Sequence, residues 1–276
     1  MVIYSNNNYI KTPKISVVTV VYNGALMLEE TIQSVISQTY TNVEYIIIDG
    51  ASTDSTVDII KQYASYLTYW VSEPDKGIYY AMNKAIEKIS GDWVIFMNCG
   101  DQFYCNKVLQ QVFASNILPD IDIVYGNTYV RSHWGNFELK ANDWTEIWKS
   151  FTHQSIFIKS SVQMENKFAV EDFVAAADYN LMYSLFFKQH KAQRMDVTIS
   201  SILYSEQGFS AKHQLLSKKE VLKVIKNYSE NKLLVLNFHF RYHFYRLCMT
   251  IISLLTNKLS PTLIRRIRKW RDLKRK

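Results

Sequence analysis

Two carboxylates follow two apolar runs within the first hundred or so residues: Asp49 closes YIIID before Gly50, and Asp101 closes WVIFMNCGD after Gly100. A strand cannot use a buried Asp for packing, because an unpaired charge in a core is costly or is neutralised. Crevices in open α/β sheets form beyond the carboxyl ends of the strands, so carboxylates there are placed to meet a polar ligand. A third acid, Asp178 in AAADYNLMYSL, stands at the start of a helical pattern, with Glu171 and Asp172 shortly before it. Lys76 and Gly77 in SEPDKGIYYAMNK lie in a loop running into a helix, an arrangement that meets a phosphate through free N–H groups and the helix dipole. Asn23 and Gly24 read as a plain turn.

The elements that must position these groups alternate. Residues 15–21 (ISVVTVV) form a continuous β-branched run, the pattern of a strand covered on both faces. Residues 28–38 carry Leu28, Ile32, Val35 and Ile36 at helical spacing, with Glu29 and Glu30 in the first turn. Strands are expected over 43–48, 68–72 and 93–98, with helices after Ser55, where Asp58 completes a weak capping pattern, and over 78–89. Such alternation predicts an α/β fold with a mostly parallel central sheet, right-handed crossovers and flanking helices. Beyond Asp101 the pattern loosens. It predicts a helix over 107–114, a strand or hairpin over 122–131 with a turn at Gly126, a strand over 155–159, a helix over 175–188 and a last strand over 195–203. A polar loop with Gly208 as its hinge is expected over 207–216.

At 276 residues with 48% hydrophobic content, the chain can bury a full core, which excludes disorder throughout. Cys99, Cys105 and Cys248 form no CxxC pair, so neither a disulfide framework nor a zinc site is indicated, and a reducing compartment fits best. The N-terminus lacks the pattern of a secretory signal, and the most apolar stretch, 233–255, is broken by His239, Arg241, His243 and Arg246. A cytoplasmic protein without a membrane span is expected. Charge is uneven: residues 1–211 carry 15 Lys and Arg against 22 Asp and Glu, whereas residues 212–276 carry 17 against 3. After Ser260 and Pro261, a basic amphipathic helix is expected, with Leu263, Ile264, Ile267, Trp270 and Leu273 on one face. Such a helix suits an anionic membrane surface.

Four ordered segments, PKISVVTVVYNG, QTYTNVEYIIIDGASTDST, SEPDKGIYYAMNKAI and GDWVIFMNCGDQFY, resemble the family 2 glycosyltransferases of the GT-A fold. The likeness points especially to the branch that builds bacterial capsule, colanic-acid-type and O-antigen polysaccharides. It is dense over residues 13–104 and thinner to about residue 213. It implies a GT-A domain over 1–213, with a donor half to about residue 104 and an acceptor half after it, and a basic tail over 214–276. It implies an inverting transfer of a hexose or N-acetylhexosamine from a nucleoside diphosphate sugar, most simply UDP-linked, to a saccharide or lipid-linked saccharide. The enzyme would then sit peripherally at the cytoplasmic face of the inner membrane, without nucleic acid.

The same resemblance assigns residues. Asp49 would read the base, with Thr19, Tyr22 and Asn23 around the base pocket, and Asp75, Lys76, Asn83 and Lys84 would line the donor site. Asp101 would hold a divalent cation, Mn²⁺ or Mg²⁺, with help from Asn98 and a speculative third ligand in His213. The family's Asp-x-Asp is reduced here to Asn98-Cys99-Gly100-Asp101, and its GIYDAMN reads GIYYAMN with Tyr80. Asp178 would be the general base, with Glu171 and Asp172 as the nearby alternatives. His153 and Gln154 would shape the acceptor pocket, and the EQGFSAKH segment, with Glu206, Gly208, Ser210 and His213, resembles a loop that closes over the donor.

Two other classes compete with this reading. A sugar-phosphate nucleotidyltransferase would lead with a Gly-rich phosphate loop, which is missing. A nucleic-acid-binding module would explain the basic tail but not Asp49, Asp101 and Asp178.

Overall fold

The computed structural model describes residues 3–5, 8–10, 12–115, 117–133, 135–144, 152–204 and 209–256. The chain divides into two compact units, Met1–Glu206 and Gln207–Lys276. In the first, β1 (Ile3–Ser5) and β2 (Asn8–Ile10) pair as a small antiparallel hairpin. The main sheet begins with β3 (Ile15–Val21), all of whose residues are buried, as expected of a β-branched run covered on both faces. Helix α1 (Leu28–Ile36) then buries Leu28, Thr31, Ile32 and Val35 and keeps Glu29 and Glu30 in its first turn. β4 (Val43–Asp49) lies parallel to β3 in a register that sets Val21 opposite Asp49. Helix α2 (Thr56–Gln62) takes no cap bond from the Ser55 side chain; Asp54 instead accepts from the Thr56 N–H at 3.0 Å. β5 (Tyr69–Ser72), α3 (Ile78–Ile86) and β6 (Trp93–Phe96) complete the parallel half of the sheet.

The second half is mixed. It comprises β7 (Gln102–Phe103), α4 (Val108–Phe113), β8 (Ile123–Arg131), β9 (Phe137–Leu139), β10 (Ile156–Lys159), α5 (Ser160–Glu165), α6 (Ala177–Phe187) and β11 (Ala192–Leu203). The sheet has nine strands in the order β5-β4-β3-β6-β10-β8-β11-β7, with β9 on β8. β10 runs antiparallel to both β6 and β8, while β8 and β11 are parallel. The turn expected at Gly126 does not form: residues 123–131 are one strand. A Cβ at Gly126 would lie 2.4 Å from the Val197 carbonyl oxygen, so this glycine permits close approach of β11.

Ile15, Val17, Ile32, Ile47, Ile60, Ile95, Leu109 and Phe157 belong to one buried cluster joining β3, β4 and β6 to the helices that cover them. Each large aliphatic side chain so buried contributes roughly 1.5–3 kcal/mol. Polar groups inside this layer are bonded. The Thr19 hydroxyl donates to the Met97 carbonyl at 2.7 Å and lies 2.9 Å from the Tyr45 hydroxyl, avoiding the cost of a buried unpaired hydroxyl.

The second unit contains α7 (Phe209–Lys212), α8 (Gln214–Tyr228) and α9 (Lys232–Thr256). A polar loop over 207–216 is therefore replaced by helix from Phe209 onward among the described residues, and His213 sits at the junction of α7 and α8 with its ring 4.5 Å from that of Phe209. Glu206, Gly208 and the amphipathic segment after Ser260 lie outside the described residues. No described helix is long and apolar enough to cross a membrane.

Candidate functional site

Asp49 is wholly buried at the end of β4, and three donors converge on it. The Ser52 N–H donates to Oδ2 at 2.9 Å, the Ser52 hydroxyl to Oδ1 at 2.5 Å and the Ser72 hydroxyl to Oδ2 at 2.6 Å. Two residues nearby hold the left-handed backbone that such a tight crossing requires, Asn23 (φ 49°) and Ala51 (φ 60°). The Asn23 side-chain Oδ1 accepts from the Thr53 N–H at 2.8 Å, and the Asn23 backbone N–H donates to the Ser52 hydroxyl at 2.7 Å. The turns after β3 and β4 are thus bonded into one rim, with the Tyr22 side chain exposed on it. A Cβ on Gly50 would lie 2.8 Å from the Asp75 carboxylate, so glycine lets the Asp75 loop close against the end of β4.

That loop is fixed at several points. Asp75 accepts from the Gly77 N–H at 2.8 Å, and Lys84 donates to the Pro74 carbonyl at 3.0 Å while pairing with Glu73 at 2.9 Å. Lys76 lies over the Tyr80 ring, and the Tyr80 hydroxyl donates to Glu171 at 3.1 Å. Asn83 bridges to the backbone of Phe168 in both directions, each bond 2.9 Å. The side chains of Thr19, Asn83 and Lys84 are therefore engaged within the protein.

The sequence does not foreshadow the links among the other candidates. The Tyr79 hydroxyl donates to Oδ1 of Asp178 at 2.7 Å, and Nδ1 of His153 lies 3.1 Å from Oδ2. Nε2 of His153 lies 3.1 Å from Nδ2 of Asn98. With the Asn98 amide as donor, Nε2 accepts, the imidazole proton resides on Nδ1, and His153 donates to Asp178. Gln154 donates to Asp101 at 2.7 Å. One short 3₁₀ turn, His153–Ser155, therefore touches the carboxylates of Asp178 and Asp101 through consecutive side chains.

The surroundings shift these two carboxylates in opposite directions. Burial pushes Asp101 up to about 6, against the lowering influence of Gln154, His153 and Arg131. Burial also raises Asp178, but the His153 and Tyr79 hydrogen bonds outweigh it and hold the carboxyl below its ordinary value. Asp178 is thus ionised at neutral pH, and its side chain keeps 25% of its surface open to a reactant. Burial lifts the neighbouring Cys99 thiol to about 12, which leaves it inert as a nucleophile.

Among the described residues, no group of three His, Cys, Asp or Glu side chains converges to hold a metal. Two hard oxygens do lie on the loop that follows β6. Asn98 Oδ1 is buried without a hydrogen-bond partner, and the Asp101 N–H donates to the Asn98 carbonyl at 2.9 Å, closing the turn that carries the Asp101 carboxylate. Such a pair fits a hard divalent cation that takes its remaining ligands from a phosphate and water. Arg131, at the end of β8, donates to the Gly100 carbonyl at 3.3 Å and keeps a buried Nε without a partner. Tyr79 and Arg131 were not anticipated from the sequence. Tyr79 lies inside the quoted GIYYAMNK motif, where attention falls on Tyr80; Arg131 has no local signal, because only the pairing of β8 brings it to the loop containing Asp101.

Residues 16–174 match the family described as Glycosyl transferase family 2, and the chain belongs to that family. It is 30% identical over 180 residues to the PGL/p-HBAD biosynthesis glycosyltransferases of Mycobacterium bovis and Mycobacterium tuberculosis, a match spanning 62% of this chain and 65% of those relatives. In three dimensions it is similar to residues 1–349 of S. aureus TarS in complex with UDP, at a TM-score of 0.62 and 16% identity, covering 83% of this chain and 71% of that one. It is also similar to a mannosyltransferase from Pyrobaculum calidifontis in complex with GDP-Man and Mn²⁺, at a TM-score of 0.65 and 14% identity, covering 96% and 81% of the two chains. The α/β fold, with its mixed, curled sheet flanked by helices, is that of the GT-A glycosyltransferases. The capsule and O-antigen branch is not singled out, since these curated relatives carry names from PGL/p-HBAD biosynthesis.

Proposed function

We propose that this glycosyltransferase inverts the anomeric centre as it moves a hexosyl or N-acetylhexosaminyl group from a nucleoside diphosphate sugar, UDP-linked in the simplest case, to a saccharide hydroxyl. The carrying observation is the Asp178 carboxylate, clamped by Tyr79 and His153, with the next residue, Gln154, donating to the carboxylate of Asp101. Asp178 accepts the acceptor hydroxyl's proton while the oxygen attacks the anomeric carbon from the face opposite the diphosphate. A new carbon–oxygen bond forms, the bond to the diphosphate breaks, and the electron pair leaves with the nucleoside diphosphate. Tyr79 and His153 hold the base with lone pairs still free for the incoming hydroxyl.

On the donor side, the Ser52–Asn23 rim, braced from beneath by Asp49, meets the nucleoside, and the Asp75–Gly77 loop approaches the diphosphate. Asp101 and Asn98 Oδ1 would hold a divalent cation, Mn²⁺ or Mg²⁺, which when bound neutralises charge developing on the leaving diphosphate. A lipid-linked saccharide in bacterial cell-surface polysaccharide synthesis is the acceptor class this reading favours. Support comes from relatives named for the synthesis of PGL/p-HBAD and from a fold shared with proteins solved with UDP and GDP-Man. A panel of nucleotide sugars assayed with Mn²⁺ and Mg²⁺, with the product's anomeric configuration read by NMR, tests it. Expected are turnover of one donor class, an inverted product and loss of turnover in Asp101→Ala. A retained configuration, or no donor turned over by the wild type, overturns it.

A further inference from the structure

Helix α9 (Lys232–Thr256) is apolar on two sides. Leu234, Val235, Phe238, Tyr242 and Tyr245 are half-buried, and Tyr245 donates to Gln214 of α8 at 2.5 Å with Lys218 4.7 Å above its ring. The other side carries Leu233, Leu236, Phe240, Phe244 and Leu247, exposed by 79%, 63%, 68%, 58% and 56%. Their spacing of i, i+3, i+7, i+11 and i+14 confines them to an arc of about 80°, a stripe about 21 Å long. Phe240 and Phe244 stack at 6.1 Å between centroids and lie in the middle of it. Arg241 borders the stripe on one side, Lys232 and His243 on the other, and α9 contains neither Asp nor Glu.

We infer that this face of α9 is a membrane-docking surface that lies in the interface of an anionic bilayer. A contiguous apolar stripe of this kind needs a covering, and two properties choose the occupant. First, residues 207–276 carry 17 Lys and Arg against 3 acidic residues, so a second copy would bring two strongly positive units together, whereas anionic headgroups complement them. Second, an apolar stripe bordered by cations, in a helix not apolar enough to cross, is the pattern of a helix lying in the interfacial plane. The inference is independent of the transfer chemistry, since it uses no residue of the crevice. It differs from the expectation placed on residues 260–273, because it assigns the contact to α9.

Co-sedimentation of the full chain with phosphatidylcholine vesicles, with and without phosphatidylglycerol, tests it against the double variant Phe240→Glu/Phe244→Glu. Far-UV circular dichroism checks the fold and light scattering the oligomeric state. The wild type binds phosphatidylglycerol vesicles and is monomeric without them, and the double variant binds at least about tenfold more weakly with donor turnover unchanged. Should the glutamates disturb folding, Leu236→Gln/Leu247→Gln carries the same expectation without adding charge. Undiminished binding in the folded variants, absence of wild-type binding, or a wild-type dimer that the variants dissolve overturns the inference.

Discussion

In the proposed reaction the chemistry concentrates in how a few residues share protons. Asp178 is held below its ordinary pKa by His153 and Tyr79, while burial pushes Asp101 up, and the proposal gives the two carboxylates different work. His153 is the hinge of this arrangement: its Nδ1 faces Asp178 and its Nε2 faces Asn98. Removing either clamp leaves the base present but unoriented. His153→Ala and Tyr79→Phe are therefore expected to lower kcat by about 10–100-fold, less than the roughly 10²–10⁴-fold that the general base itself supplies, while donor Kd stays within about twofold of wild type. Steady-state kinetics combined with donor titration checks this split. A loss confined to KM would show instead that the two residues contact the donor. Asp49, Asp101 and Asp178 were legible as candidates because Asp49 ends a strand, Asp101 closes the loop after one and Asp178 stands in the first turn of a helix. Ser72, Tyr79 and Arg131 were not, since they reach these acids only through tertiary pairing, and the same holds for the bond from Gln154 to Asp101.

At the scale of elements, the parallel half follows from local signals, and a buried ionic cluster ties it together. Glu44 of β4 accepts from the Ser16 hydroxyl of β3 at 2.5 Å, from the Ser90 and Gly91 N–H groups before β6 at 2.5 and 3.0 Å, and pairs with Lys14 at 2.7 Å. Burial opposes its charge, yet Lys14, Ser16 and Ser90 outweigh burial and hold its carboxyl at about 2. A folded-state value below the unfolded one means that the contribution is complete above the unfolded value, about 4.3, and is lost as pH falls toward about 2. The wild type's thermal midpoint is thus expected to fall more steeply than that of Glu44→Gln between about pH 5 and pH 3. The substitution itself costs on the order of 1–3 kcal/mol at neutral pH. Parallel melting profiles would contradict the assignment.

The mixed half was harder to read from sequence because its strands depend on distant partners. Gly126 looked like a turn residue, and only the 2.4 Å approach of the Val197 carbonyl shows why a strand needs it. The strand at β10 was expected from its apolar run, but its antiparallel placement between β6 and β8 leaves no local signature.

Over the whole molecule, charge and chemistry are segregated. A mildly acidic unit carries the crevice, and a strongly basic helical unit carries the exposed stripe of α9. The likeness to family 2 glycosyltransferases was legible in four segments, because their carboxylates, glycines and strand ends are local. The helical unit was legible only as charge, since an exposed stripe and a packed one have the same period. Everything proposed for the reaction converges on one carboxylate, and the most direct measurement is turnover and donor affinity of Asp178→Asn beside the wild type, with folding verified. Transfer is predicted to fall by about 10²–10⁴-fold while donor Kd changes less than about twofold. Transfer near the wild-type rate in the folded variant would contradict Asp178 as the base and, with it, the account of the crevice.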